Sequence, residues 1–409
     1  MERQSQRCET RVGVLASHPI QYHSPWFRYL AARMDIEVFY GHRQGPKGQS
    51  ESGFGVEFDW DTPLLSGYRF RWLTNVSRRP GLNSFGGCDT PEIYDIVREG
   101  RFGAFLVLGW NRKSFIQAIV ACKQQRVPVL LRGDSQLATN RSTAKTILKY
   151  VPYRYLLPRI DAHLYVGSRN RHYLKYYGVP DERLFFSPHF VDNDFFAKAS
   201  QHARTTGEDQ KLRARLGMPL SAFVFSFAGK MIPKKRPADI IRSAIDLFRM
   251  SEGSNVHIIF AGDGPLRADL ESLAGPYLDR IHFIGFMNQS EMPTLYAASD
   301  AVVLPSNGEE TWGLVVNEAA ACGVPSIVSN QAGCSADLIT GDFTGAVFSG
   351  GDIRGLTNSM AAVKRTCQAR PEQVRKGLAD TASRYSIQSA TLGLEEALKT
   401  VSLAKRVAA

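Results

Sequence analysis

What this chain has little of narrows the field first. Its six cysteines, Cys8, Cys88, Cys122, Cys322, Cys334 and Cys367, form no Cys-x-x-Cys pair and have no companion histidine spacing. That pattern argues against a zinc centre and against a disulfide framework, and fits a reducing cytoplasm. No run approaches the roughly 18 apolar residues needed to cross a bilayer. The first ten residues, Met1 to Thr10, are polar and lack the apolar centre of a secretory signal, so the expected location is cytoplasmic. Net charge is +11, yet no nucleic-acid-binding motif accompanies it. Metal-binding strings are scarce too. Asp59-Trp-Asp61 and Asp192-Asn-Asp194 are Asp-x-Asp matches, but neither falls at a strand end of a nucleotide-binding unit, so no metal site is expected.

What is present is a long alternation. At 409 residues, 44% of them hydrophobic, the chain can fill two or three cores. Apolar strand-like runs at Val12–Ala16, Ile36–Tyr40, Ala104–Leu108, Val127–Leu131, His163–Val166 and Leu184–Phe186 are separated by helical patterns. Such alternation predicts parallel sheets of α/β class. The Gly-, Pro- and Ser-rich stretch from 41 to 87 reads as a loop region over a cleft, and the polar stretch 197–209 as an interdomain linker. The expected units are 1–205, 206–385 and a final helix within 386–409.

The second half holds the chemistry. Ala301-Val-Val-Leu-Pro305 leads into Glu310-Thr-Trp-Gly-Leu-Val-Val-Asn-Glu318, two acids with seven residues between them. A strand, a Gly-bearing acidic loop and a helix starting near Gly313, followed by Leu314, would present backbone N–H groups to a phosphate. A second strand, Phe223 to Ala228, runs into Gly229, Lys230, Lys234 and Lys235. Lysines at the end of a parallel strand suit a diphosphate, supplying charge without a metal.

These residues, with Ala261-Gly262-Asp-Gly264-Pro265, Ile281 to Gly285-Phe286, Leu295 to Asp300, Leu304-Pro-Ser306, Ala319, Ala320, Cys322, Gly323, Pro325, Gly333, Gly345 and Asp352, resemble the retaining glycosyltransferases of family 4. The resemblance spans some 130 residues. It implies the GT-B fold, two facing Rossmann-like domains with a C-terminal helix crossing back to the first. It also implies a nucleotide-diphosphate sugar as cosubstrate, with no bound cofactor, and transfer to an acceptor hydroxyl with retained configuration. On matched positions, Lys230 (in place of the family's usual Arg) and Lys235 neutralise the diphosphate. Glu318 holds the ribose, and Glu310 contacts the sugar or supports its developing positive charge. Gly285 and Phe286 meet the nucleobase, with Gly262 and Gly264 close to that wall. A phosphate oxygen takes the acceptor proton, so no strong protein base is needed.

The first half departs from the family. Where many members carry a histidine, this chain reads Arg132-Gly-Asp134, so no histidine role transfers. His18, Gln21 and His23 follow the first strand, and Trp110 and Asn111 follow another, which places all five toward the cleft as candidate acceptor or sugar contacts with Asp134. Histidines that merely order the loop remain the plain alternative. The lost histidine also leaves open a sugar-binding or assembly protein without transfer activity, and an epimerase of the same architecture is a weaker third reading.

One segment lies outside this scheme. Between Arg141 and Arg159 five basic residues alternate with aliphatic and aromatic ones, including Tyr153 and Tyr155, and no acid intervenes. This composition suits the anionic inner face of a membrane. The family resemblance separately implies a role in building a bacterial cell-surface polysaccharide or a lipid-linked glycan. Pro152 and Pro158 predict two short pieces rather than one helix. An apolar face docked on the sheet, with a solvated basic face, stands as the alternative.

Overall fold

The computed structural model describes residues 8–49, 56–138 and 143–408. Among the described residues thirteen strands form two all-parallel sheets. The first is built from β1 (Cys8–Ala16), β2 (Met34–Tyr40), β3 (Phe70–Trp72), β4 (Ala104–Val107), β5 (Val129–Gly133), β6 (Ala162–Tyr165) and β7 (Leu184–Phe186), in the order β3-β2-β1-β4-β5-β6-β7. The second holds β8 (Phe223–Ala228), β9 (Val256–Ala261), β10 (Ile281–Gly285), β11 (Ala301–Leu304), β12 (Ser326–Ser329) and β13 (Gly345–Phe348), in the order β10-β9-β8-β11-β12-β13. The two orders follow one rule. Each sheet starts in its middle, winds to one edge, then returns to wind to the other, which leaves a crevice where the direction switches. Those switch points lie between β1 and β4 and between β8 and β11.

The strands read as unbroken apolar runs because helices cover both faces of each sheet. β8 is Phe-Val-Phe-Ser-Phe-Ala and every residue of it is buried. On the first sheet, Val12, Val14, Ile36 and Val38 share one core with Trp26, Phe27 and Leu30 of the His23–Ala31 helix. That core is completed from the far end of the chain. Ile387, Ala390, Leu394, Leu398 and Val401, at helical spacing on Ile387–Ala408, are buried in it. Each large side chain so buried stabilises by about 1.5–3 kcal/mol, enough in sum to hold the crossing helix on the first domain. Trp26 Nε1 donates to Thr391 Oγ1 at 3.1 Å and fixes its register. The C-terminal helix thus crosses back as expected.

Three expectations are corrected. The stretch 197–209 is not an irregular linker, since Asn193–Thr206 and Glu208–Arg215 are helices joined at Gly207, whose φ of +74° ends the first. Phe196, Ser200 and Ala203 bury one face of the first helix, a helical spacing masked by the polar residues between them. The 41–87 region contains β3, which pairs with β2 through Val38–Phe70 and Tyr40–Trp72. Finally, Thr143–Leu156 is a single helix that runs through Pro152, followed by a 3-10 turn at Leu157–Arg159. Proline near a helix end removes one hydrogen bond, and packing of the adjacent turn on the sheet outweighs that loss. Arg141 lies outside the described residues.

Candidate active site

Both switch points open on the same cleft. A cavity of about 340 Å³ there is lined by Gln21, Tyr22 and Trp60 from the first domain and by Gly229, Lys230, Lys234, Lys235, Gly262, Phe286 and Glu318 from the second. Residues following β8 form its cationic side. The backbone turns sharply at Gly229 and meets the loop after β9, where a Cβ on Gly262 would fall 2.0 Å from the Gly229 carbonyl oxygen. With Gly262 at φ +130°, only glycine permits that approach. Lys230, Lys234 and Lys235 are thereby held close together. Burial and then the charges of Lys234 and Lys235 depress the Lys230 ammonium to about 8.

Residues following β11 form the acidic side. Glu310 sits on the loop and makes an ion pair with Lys235. Burial pushes its carboxyl up, but Lys235, Lys234 and Ser306 outweigh that, leaving it below its ordinary value. Gly313, at φ +109° and against Leu304, turns the chain into the Val315–Ala321 helix, with Leu314 at its N-cap. The helix is only seven residues long and starts later than expected. Glu318 lies in its first turn and is fully buried. Tyr22 Oη donates to Glu318 Oε1 at 2.9 Å and Tyr296 Oη to Oε2 at 2.5 Å. Burial lifts the Glu318 carboxyl to about 7, with the two tyrosines pulling the other way. Gly264 packs against the Met231 backbone, and Gly262 N donates to Gly285 O at 2.7 Å, so the remaining expected glycines shape the same wall.

The first domain's candidates separate. Gln21 lines the cavity. His18 accepts or donates at Ser17 Oγ (2.9 Å), and burial, His42 and Arg112 lower it to about 4. His23 is in the first turn of its helix rather than in the loop, and burial, Arg132 and His18 lower it to about 3. Both rings are therefore neutral at pH 7. Trp110 corrects its placement as an acceptor or sugar contact: it is 8% exposed, stacks on Tyr173 at 6.3 Å and underlies Gly133. Asn111 beside it is exposed. Asp134 does reach the cleft, where its carboxylate accepts from Thr311 Oγ1 at 2.6 Å, next to Glu310.

Several residues escaped sequence reasoning. His189, after β7, has its Nε2 3.9 Å from Asp134 Oδ2 and its ring 5.2 Å from that of Trp312. Burial, Arg132 and His23 hold its imidazole well below the ordinary value. Arg132 is buried beneath, donating to Pro188 O at 2.8 Å, and burial lowers even its guanidinium to about 10. Gln136 crosses the cleft to donate to Glu310 O at 3.0 Å. A histidine directly after a strand, as in Phe186-Ser-Pro-His189, was the available signal.

The Asp-x-Asp carboxylates have other partners. Asp61 accepts from Ser290 N at 3.2 Å, and Asp192 caps the Asn193–Thr206 helix through Phe195 N at 3.1 Å. Among the described residues no group of three or more His, Cys, Asp and Glu stands where it could hold a metal ion.

Comparison with known proteins agrees with this geometry. Residues 208–376 match the family described as "Glycosyl transferases group 1". The D-inositol 3-phosphate glycosyltransferases of Mycobacterium bovis and Mycobacterium tuberculosis are 29% identical over 194 residues, 45% of this chain and 38% of theirs. The match thus spans well under half the length of these relatives. Among solved structures, a glycosyltransferase from Rickettsia africae superposes with a TM-score of 0.71 at 13% identity, covering 96% of this chain and 99% of that one. Anabaena Alr3699/HepE, solved in complex with UDP, gives 0.68 at 16% identity, over 95% of this chain and 100% of its own. The second half of the chain thus resembles the group 1 glycosyltransferases over residues 208–376, and the two-sheet fold of the whole chain is the GT-B fold of these solved glycosyltransferases.

Proposed function

We propose that the chain transfers a sugar from a nucleotide-diphosphate sugar to an acceptor hydroxyl, with retention at the anomeric carbon and without a metal. The observation that carries this reading is one cavity with three lysines on one side and buried Glu318 on another. Breaking the anomeric bond leaves negative charge on the diphosphate and positive character on the sugar. Lys230 and Lys235 face the first charge. Glu310, now paired with Lys235, exchanges that partner for the donor and faces the second. Glu318 accepts from the ribose hydroxyls. The acceptor enters between Asp134, His189 and Gln21, attacks from the side the diphosphate leaves, and passes its proton to a diphosphate oxygen. The complex of HepE with UDP supports a nucleotide in this cleft. Incubation with UDP-, GDP- and ADP-sugars, followed by nuclear magnetic resonance of the product anomer, tests the proposal. Donor hydrolysis without an acceptor separates it from a sugar-binding protein that has lost transfer.

The acceptor we propose is a lipid-linked or surface glycan met at the inner membrane face. Supporting this, Leu148, Val151 and Tyr155 are 77%, 71% and 63% exposed on the Thr143–Leu156 helix. Spacings of three and four residues put them on one helix face, and Arg154 and Arg159 are exposed beside them. Tyr153, named with Tyr155 in the segment, packs inward on Tyr177 at 5.5 Å. Sedimentation with phosphatidylglycerol and with neutral vesicles at low and high salt decides the point. Equal recovery in every supernatant would overturn it.

A further inference from the structure

Asp59-Trp60-Asp61 lies in the first domain's loop between β2 and β3, yet Asp59 and Asp61 hydrogen-bond to the second domain. Asn288 Nδ2 donates to Asp59 O at 2.8 Å, and Asp61 N to Asn288 Oδ1 at 3.4 Å. The Asp61 carboxylate accepts from both the backbone N–H and the hydroxyl of Ser290. One residue earlier, Phe58 packs on Phe286 in a tilted arrangement, with ring centroids 4.2 Å apart and planes at 35°. Trp60 stands edge-on to Phe58, at 4.9 Å and 89°, and lines the donor cavity together with Gly262, Phe286 and Met287.

Phe58, Asp59 and Asp61 already tie the loop to the second domain, while the ring between the two aspartates faces the cavity. The same cavity is lined by Phe286, a residue matched to the nucleobase. We propose that Trp60 is a base-stacking residue delivered across the cleft, so that the donor's nucleobase lies between the indole and the wall at Gly285 to Met287. The ribose then points to Glu318 and the diphosphate to Lys230. This rests on the donor-site reading above and adds a residue from the other domain to it. A flat indole accepts any base by its face, and edge groups such as the buried amide of Gln289 are left to discriminate between bases. It follows that nucleotide binding holds the domains together, because half of the base site belongs to each.

Calorimetric titration of the full chain with UDP, GDP, ADP and inorganic pyrophosphate tests this. W60A should weaken the tightest-binding nucleoside diphosphate about tenfold or more, with pyrophosphate unchanged, because pyrophosphate occupies only the lysine end. W60F, which keeps an aromatic face, should recover most of the loss, and equal melting temperatures show that the fold is intact. If W60A binds the nucleotide as tightly as the parent, stacking is refuted while the donor site stands. Equal loss for nucleotide and pyrophosphate would make Trp60 a clasp rather than a base contact, and would refute it too. A parent protein that binds none of the four probes overturns the donor site itself.

Discussion

Replacing Glu318 by Gln should stabilise the protein at pH 8 and leave its stability at pH 5 nearly unchanged. The carboxyl is buried and rises from its ordinary 4.5 to about 7. Between those values the folded chain keeps a proton that the unfolded chain has released. Stability from this group is therefore fully present below pH 4.5 and is lost as pH rises through about 7. A tenfold change in proton affinity is worth about 1.4 kcal/mol, so ionised Glu318 costs the folded state about 3 kcal/mol at pH 8. Glutamine has the same shape without the charge. Its amide oxygen can accept from one of Tyr22 and Tyr296 while its NH₂ donates to the other hydroxyl oxygen. For a domain of this size the gain corresponds to a rise of about 6–12 °C in melting temperature at pH 8. Differential scanning calorimetry of both proteins at pH 5 and pH 8 measures it. An equal difference at the two pH values would refute the reasoning, since only titration of this carboxyl makes the effect depend on pH. The same variant should bind nucleoside diphosphate more weakly, because stability is sacrificed where the charge is needed to hold the ribose.

Further outcomes follow from the same geometry. K235A and E310A should each lower turnover about a hundredfold or more in folded protein, and a parent-like rate in either variant would remove that residue from the mechanism. Donor kcat/KM should fall on the acid side through about 7 as Glu318 protonates and on the alkaline side through about 8 as Lys230 loses its charge. K230R should flatten only the alkaline limb, and an unchanged profile would exclude Lys230. Transfer should persist in excess EDTA; complete loss restored by manganese would refute metal independence. Replacing Leu148, Val151 and Tyr155 together by Ser should abolish the salt-resistant part of vesicle binding and leave transfer to a soluble acceptor unchanged.

The donor half was legible because its signals are local. Glu310 and Glu318 are eight positions apart on one loop and helix, and Gly229, Lys230 and Lys235 fall within one turn after a strand. Spacing along such short segments carries over directly into space, whatever surrounds them. The 197–209 helices were missed because only one narrow face is buried, so polar residues dominate the pattern. Trp110 was misplaced because a strand's end tells which cleft the chain approaches but not whether the next side chain turns inward.

The sequence alone determined the alternation that makes two parallel sheets and the cationic and acidic loops of the second, and its family resemblance implied the return of the last helix. Only the tertiary structure decided which residues meet across the cleft. Tyr22 and Glu318 are 296 positions apart, and Asn288 and Asp59 are 229 apart. His189 reaches Asp134, and Trp60 reaches the wall at Phe286, only because two separate switch points open face to face. Local periodicity encodes which face of an element is buried. It carries no record of the partner from another domain, since that pairing is fixed by the relative placement of two cores rather than by any spacing along the chain.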